Sequence, residues 1–127
     1  MKEEIIIFKE RALQAFEGAK EMFNKGFYDW SLVLLEQAIQ LLLKYFLALK
    51  IGYFSKTHEL RKLFEETRVI NEEVWDFYIK YKDKLEVLNE AYISGRYLDK
   101  RYTKTDVEDK FEVFTKLLEL IEKYEKD

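Results

Sequence analysis

Residues 94–105 form the segment whose charge differs most from the rest of the chain, and they read SGRYLDKRYTKT. The segment contains a single acid, Asp99, and four cations, which are Arg96, Lys100, Arg101 and Lys104. Arginine offers a forked donor to phosphate oxygens, and lysine offers a mobile positive charge. The local excess of positive charge therefore predicts a site for the phosphate groups of a nucleotide or of RNA.

Tyrosines alternate with these cations, at Tyr92, Tyr97 and Tyr102. A tyrosine ring presents a face on which a nucleobase or a guanidinium group can stack. The predicted ligand-binding residues are Arg96, Tyr97, Lys100, Arg101, Tyr102 and Lys104. The alternative interpretation is a polar loop between two helices, whose cations are solvated or pair with Asp99 and Glu108.

His58 is the only histidine of the chain and lies in the cluster Thr57–Leu60. A histidine changes its protonation near neutral pH and could act as a base. Near the start of a helix, however, it more often binds the backbone or packs against a neighbour. Arg101 and Tyr102 are poor substitutes as bases, because a guanidinium stays protonated and a phenol is rarely ionised at neutral pH. The sequence favours a protein without catalytic residues, in which His58 supports the ligand site.

The composition limits the class of protein. The 127 residues fit a single domain over residues 1–127 with room for a substantial core. The 22 basic and 25 acidic residues give a net charge of -3, which argues against a protein that binds nucleic acid over its whole surface. Without cysteine and with one histidine, the chain cannot form disulfides or multi-histidine zinc sites. No glycine-rich phosphate loop or nucleophile elbow occurs, and no cofactor is expected.

Residues 1–4 place acids where a secretory signal would carry basic residues, and the apolar run at residues 5–8 is too short for a signal core. The longest apolar stretch, Leu32–Leu49, is interrupted by polar residues that include Glu36 and Lys44. Because charged groups are costly in a bilayer, we predict a buried helix in a cytoplasmic protein. The abundance of Lys, Glu, Ile and Tyr, with no Cys, favours a thermophilic source.

The chain contains no proline, and glycine occurs only at positions 18, 26, 52 and 95. Because proline breaks helices and glycine commonly ends them, this pattern predicts a few long helices with stops at Gly26, Gly52 and Gly95. Apolar residues at three- and four-residue steps predict a first helix over about residues 3–24 and a second over about residues 28–51.

Capping residues predict the remaining helices. Ser55 or Thr57 predicts the start of a third helix that runs to about Glu66, and Asn71 predicts the start of a fourth. The residues Thr105–Glu108 match a capping box, which predicts a last helix that continues to the C-terminus. The predicted fold class is all-α, an up-and-down bundle of four to five helices.

The second predicted helix is apolar over most of its circumference. Its only polar stripe consists of Glu36, Gln40 and Lys44, which are spaced by four residues. Because four or five helices offer few neighbours to cover so much apolar surface, we predict that part of this helix meets a second copy of the chain in a homodimer. The alternative is a central helix that the other helices of a monomer surround.

Several of these features together resemble the HEPN domain, a family of small all-α dimers associated with nucleotides and RNA. They are the turn at Gly26, the apolar helix that ends at Gly52, the cluster Thr57–Leu60 and the pair Arg96-Tyr97. Members of the family often act beside a minimal nucleotidyltransferase in a toxin-antitoxin pair. The resemblance implies an HEPN-like homodimer that binds a nucleotide or RNA phosphate, with such a nucleotidyltransferase as its protein partner.

Many HEPN domains cleave RNA with an arginine that is followed, about four to six residues later, by a histidine. No histidine follows Arg96 here, and Arg101 is the fifth residue after it. The resemblance therefore implies a non-catalytic binding domain. One alternative is a metal-independent ribonuclease that uses Arg96 with His58 or Tyr102. The other is a helical adaptor that binds a protein through an aromatic surface formed by Trp30, Trp75 and Phe77.

Overall fold

The computed structural model describes the backbone of residues 2–97 and 100–126, and the side chains of residues 2–92 and 100–126. These residues form α-helices and no β-strand, which confirms the predicted all-α fold class. The helices are α1 (Glu3–Asn24), α2 (Tyr28–Ile51), α3 (Leu60–Thr67), α4 (Glu72–Lys80), α5 (Lys82–Tyr97), α6 (Lys104–Glu108) and α7 (Phe111–Lys123).

The two longest helices, α1 and α2, pack against each other and have the predicted bounds. A tight turn joins them, in which Gly26 has a φ of 78°. This left-handed conformation is accessible to glycine at little cost, because glycine has no Cβ. Ala19 of α1 is fully buried, and its carbonyl accepts a hydrogen bond of 2.7 Å from the Ser31 hydroxyl of α2.

The central helix of the bundle is α2, which packs against α1, α3, α5, α6 and α7. Its large exposed apolar side chains are Trp30 in its first turn and Ile51 at its last residue. The premise that one chain has too few helices to cover α2 is therefore wrong, whereas the homodimer itself stays a prediction. By length and composition alone α2 could cross a membrane, but 72% of its apolar stretch is buried inside the bundle, as in the core helix of a soluble protein.

The predicted fourth helix is divided into α4 and α5 by a bend at Tyr81, where φ is -106° and ψ is 17°. The backbone hydrogen bonds continue through the bend, because Tyr81 donates to the carbonyl of Phe77 and accepts from the N–H of Leu85. Phe77 itself is buried and its ring lies 6.2 Å from that of Phe64. Its assignment to an exposed aromatic surface was wrong, since it faces the core.

Asn71 caps α4 as predicted, because its side-chain oxygen accepts the backbone N–H groups of Glu73 and Val74. The start of α3 differs from the prediction. Its N-cap is Glu59, which makes no capping hydrogen bond with its side chain. The first N–H of this helix, that of Leu60, instead donates to Asn89 Oδ1 of α5 at 3.2 Å. The Asn89 side chain thus caps the first N–H of α3, a role that the sequence assigned to Ser55 or Thr57.

The capping box near the end of the chain lies two residues earlier than predicted. Thr103 is the N-cap of α6, and its N–H donates to Asp106 Oδ2 at 2.7 Å. The predicted last helix is interrupted after Glu108, so that α7 begins at Phe111 and carries the rest of its apolar face. The Phe114 ring of α7 stacks on Phe16 of α1 at a centroid distance of 4.4 Å.

Candidate functional site

The predicted ligand-binding residues lie at the end of α5 and in the segment that precedes α6. Arg96 and Tyr97 are the last two residues of α5, and their side chains lie outside the described residues. Lys100 forms an ion pair with Glu90 of α5. Lys104 is the first residue of α6, and its Nζ lies 4.0 Å from Glu108 Oε2. Both lysines are therefore close to a carboxylate.

Arg101 is exposed, and no carboxylate among residues 2–92 and 100–126 lies within ion-pair distance of it. The residues that follow it are fixed to the bundle. The N–H of Tyr102 donates to Asp29 Oδ1 at 2.7 Å, and the residue is only 8% exposed. Thr103 is held by the capping box with Asp106. The arginine thus extends from a backbone that is anchored to the start of α2.

A cavity of about 450 Å³ lies between this segment and the first turn of α2. Arg101 and Tyr102 line one part of it, and Phe27, Asp29 and Trp30 line another. We call these five residues the aromatic pocket. Sequence reasoning placed Trp30 on an adaptor surface and did not connect it with the cations, because more than seventy residues separate it from Arg101.

A second polar cluster is buried between α2 and α5. The Glu36 side chain of α2 is fully buried and accepts hydrogen bonds from Gln40 Nε2, at 2.9 and 3.1 Å, and from Asn89 Nδ2, at 3.1 Å. Burial raises the pKa of Glu36 to about 8, although these amide donors and the nearby Lys44 lower it. The carboxyl group is therefore largely protonated at neutral pH.

His58 borders this buried cluster. Its Nδ1 lies 3.1 Å from Gln40 Oε1, and its backbone carbonyl accepts a hydrogen bond of 2.9 Å from Asn89 Nδ2. The His58 ring lies 5.5 Å from the ring of Tyr92, which is one helical turn before Arg96. The contacts of His58 with α5 thus run through Asn89 of the buried cluster and through the Tyr92 ring.

The family model of the HEPN domain matches residues 7–124. The chain belongs to the HEPN family. No curated protein and no solved structure matches it. The all-α bundle agrees with the family assignment, and membership of this family supports a function related to nucleotides or RNA.

Within this HEPN domain, sequence reasoning missed the buried cluster of Glu36, Gln40 and Asn89. The polar stripe on α2 indicated part of this cluster, because Glu36 and Gln40 interrupt an otherwise apolar helix. The periodicity could not reveal that Asn89 completes the cluster from α5. No group of three or more His, Asp or Glu side chains that could hold a metal occurs in the described part of the chain.

Proposed function

We propose that this HEPN domain binds a nucleotide or RNA through phosphate contacts from Arg96, Lys100, Arg101 and Lys104, and that it does not cleave its ligand. The observation that carries the proposal is the exposed guanidinium of Arg101, which has no carboxylate partner among the described side chains and borders a cavity. A planar guanidinium binds phosphate through two parallel hydrogen bonds. The family assignment supports the same class of ligand.

The neighbouring ion pairs do not oppose phosphate binding. Lys100 and Lys104 are about half exposed or more, and so are their partners Glu90 and Glu108. Exposed pairs of this kind contribute only about 0 to 1 kcal/mol, so each lysine can exchange its carboxylate for a phosphate at low cost. The anchoring of Tyr102 to Asp29 also limits the backbone entropy that Arg101 loses when a ligand binds.

We propose further that the domain is a homodimer in the cytoplasm and acts beside a minimal nucleotidyltransferase, as in a toxin-antitoxin module. The resemblance to HEPN domains supports this arrangement, and so do apolar side chains that the chain leaves exposed, such as Val69 and Ile79. Light scattering at micromolar concentration should give twice the chain mass of 15.5 kDa. A mass of 15.5 kDa would contradict the dimer. The composition supports the proposal of a thermophilic source.

Fluorescence anisotropy with a short labelled single-stranded RNA tests the ligand proposal. We expect binding that weakens as salt rises, because each neutralised phosphate releases counterions. Arg101→Gln should weaken binding by about 1 to 3 kcal/mol and reduce the salt slope by about 0.7. Lys62→Gln, an exposed cation on α3, should bind as the wild type does. The proposal fails if no RNA or nucleotide binds at low salt, or if both variants bind alike.

One observation favours a ribonuclease as the second candidate. His58 lies beside Tyr92, so the only histidine is close to the turn of α5 that ends with Arg96. This arrangement could replace the missing histidine of the family motif. A gel assay of RNA degradation in the presence of EDTA decides between the two. Cleavage by the wild type that is lost in a folded His58→Gln variant would establish the ribonuclease, and intact RNA supports the binding function.

A further inference from the structure

Phe27 and Trp30 are large aromatic residues that the fold leaves open to solvent. Their exposed fractions are 52% and 54%. Neither ring packs against another aromatic ring among the described side chains, whereas Phe23 and Tyr28 on the same turn contact each other at a centroid distance of 5.6 Å. Exposed aromatic rings beside a cation are typical of surfaces that bind a partner or ligand.

Hydrogen bonds fix the backbone from which both rings extend. Phe27 follows Gly26 in the tight turn, and its N–H donates to the carbonyl of Met22 at 2.8 Å. Trp30 lies in the first turn of α2, where the Phe27 carbonyl accepts the N–H of Ser31 at 3.0 Å. A rigid aromatic side chain loses little conformational entropy when a ligand stacks on it. The aromatic pocket is therefore preorganised to stack on a flat aromatic group that is not already paired.

The chemistry of the aromatic pocket matches one nucleotide of a single strand. An aromatic face accepts any nucleobase by stacking, and Arg101 can bind the adjacent phosphate. The Asp29 carboxylate, which also accepts the Tyr102 N–H, offers an acceptor to the N–H groups of a base. The cavity of about 450 Å³ lies in the range of small-molecule sites.

We propose that the aromatic pocket binds an unstacked base of single-stranded RNA, with Phe27 and Trp30 as the stacking surface. The proposal rests on the function proposed above and specifies its ligand. Bases in a duplex are stacked on each other, and an A-form helix presents mainly its minor groove and backbone. The pocket therefore selects single strands, loops or ends and excludes continuous duplex RNA.

Tryptophan fluorescence reports directly on this pocket. The chain has two tryptophans, Trp30 and Trp75, and Trp75 packs elsewhere against Tyr78 at 5.2 Å. In a Trp75→Phe background the remaining signal comes from Trp30 alone. A single-stranded oligoribonucleotide should quench this signal at saturation. An abasic strand of equal length, and a duplex of the same sequence, should leave it unchanged.

Binding measurements with matched variants complete the test. Trp30→Ala should weaken binding of the single strand about tenfold, whereas Trp30→Phe should retain most of the affinity. Arg101→Gln should weaken binding of both the intact and the abasic strand. Leu13→Ala removes another exposed apolar side chain, from α1, and should bind as the wild type does. Thermal unfolding establishes that the variants fold.

The outcomes separate the two proposals. If Trp30→Ala binds RNA as the wild type does while Arg101→Gln binds weakly, the stacking pocket is overturned and the phosphate site stands. If no RNA binds at low salt, both are overturned. If Trp30→Ala lowers the mass of the assembly without a change in RNA affinity, the aromatic surface is a subunit contact and the stacking pocket is overturned. Should Trp30→Ala fail to fold, quenching of Trp30 by the intact strand decides.

Discussion

The side-chain amide of Asn89 lies 3.1 Å from the Glu36 carboxyl group, although 53 residues separate them in the sequence. The same amide nitrogen donates to the carbonyl of His58, and its oxygen accepts the N–H of Leu60. One side chain thus connects α2, α3 and the segment between them to α5. Because α5 also carries Arg96, this connection positions the end of the helix where we propose phosphate binding.

The first prediction concerns Asn89. Its replacement by alanine removes a donor to a buried carboxyl group and leaves the N–H of Leu60 without its partner. Because an unsatisfied buried polar group costs about 1 to 3 kcal/mol, Asn89→Ala should lower the free energy of unfolding by about 2 to 3 kcal/mol. Chemical denaturation measures this. Asn24→Ala, at an exposed position, should change stability by less than about 0.5 kcal/mol. Equal losses in both variants would contradict the role of Asn89.

The second prediction concerns His58. Its side chain is exposed and makes one hydrogen-bond contact among the described residues, with Gln40, so His58→Gln should cost only about 1 kcal/mol. The variant should also bind a nucleotide or RNA as the wild type does, because the proposed phosphate contacts come from other residues. Thermal unfolding and anisotropy test both statements. A large loss of affinity with an intact fold would place His58 in the ligand site.

The third prediction concerns pH. Burial raises the pKa of Glu36 to about 8 from 4.5, so the folded chain retains a proton that the unfolded chain loses between these values. Stability from this group is therefore complete below about pH 4.5 and falls as pH rises to about 8, by at most about 1.4 kcal/mol per pH unit. The glutamine of Glu36→Gln does not titrate. The free energy of unfolding of the wild type should therefore fall relative to that of Glu36→Gln between about pH 4.5 and about pH 8.

Unfolding midpoints measured from pH 4 to 9, at intervals of about one unit, test the role of Glu36. Glu10→Gln is the matched control, since Glu10 is exposed on α1. The unfolding midpoint of Glu10→Gln should change with pH as that of the wild type does. If the Glu36→Gln curve is also parallel to the wild type, then the Glu36 carboxyl group is ionised in the folded protein and its burial does not control its protonation.

The fourth prediction compares two glycines. Gly52 ends α2 with a φ of 79°, a conformation that other residues rarely adopt, so Gly52→Ala should destabilise the protein by about 1 kcal/mol. Gly18 lies inside α1, where alanine is the better helix former by about 1 kcal/mol. An added Cβ at Gly18 would lie 3.3 Å from the flexible end of Leu34, which can shift. Gly18→Ala should therefore be neutral or stabilising, and chemical denaturation should show a loss of stability for Gly52→Ala alone.

Local features of the sequence determined the helical class and the bounds of α1 and α2. Their apolar residues recur with the period of a helix, and Gly26 and Gly52 themselves adopt the left-handed conformation that ends each helix. The cap at Asn71 could be predicted for the same reason, because an N-cap side chain binds N–H groups two and three residues away. Helical spacing, turns and caps of this kind depend on near neighbours in the chain.

Only the tertiary structure decided which distant residues meet. Leu60 finds its capping partner in Asn89, and Glu36 is buried because α5 covers it, so no local pattern could reveal either contact. The same holds for the aromatic pocket, which forms when the Tyr102 N–H binds Asp29 and brings Arg101 to the cavity beside Trp30. Charge and residue type indicated a phosphate ligand, whereas the packing of the segment before α6 against α2 determined where a base can lie.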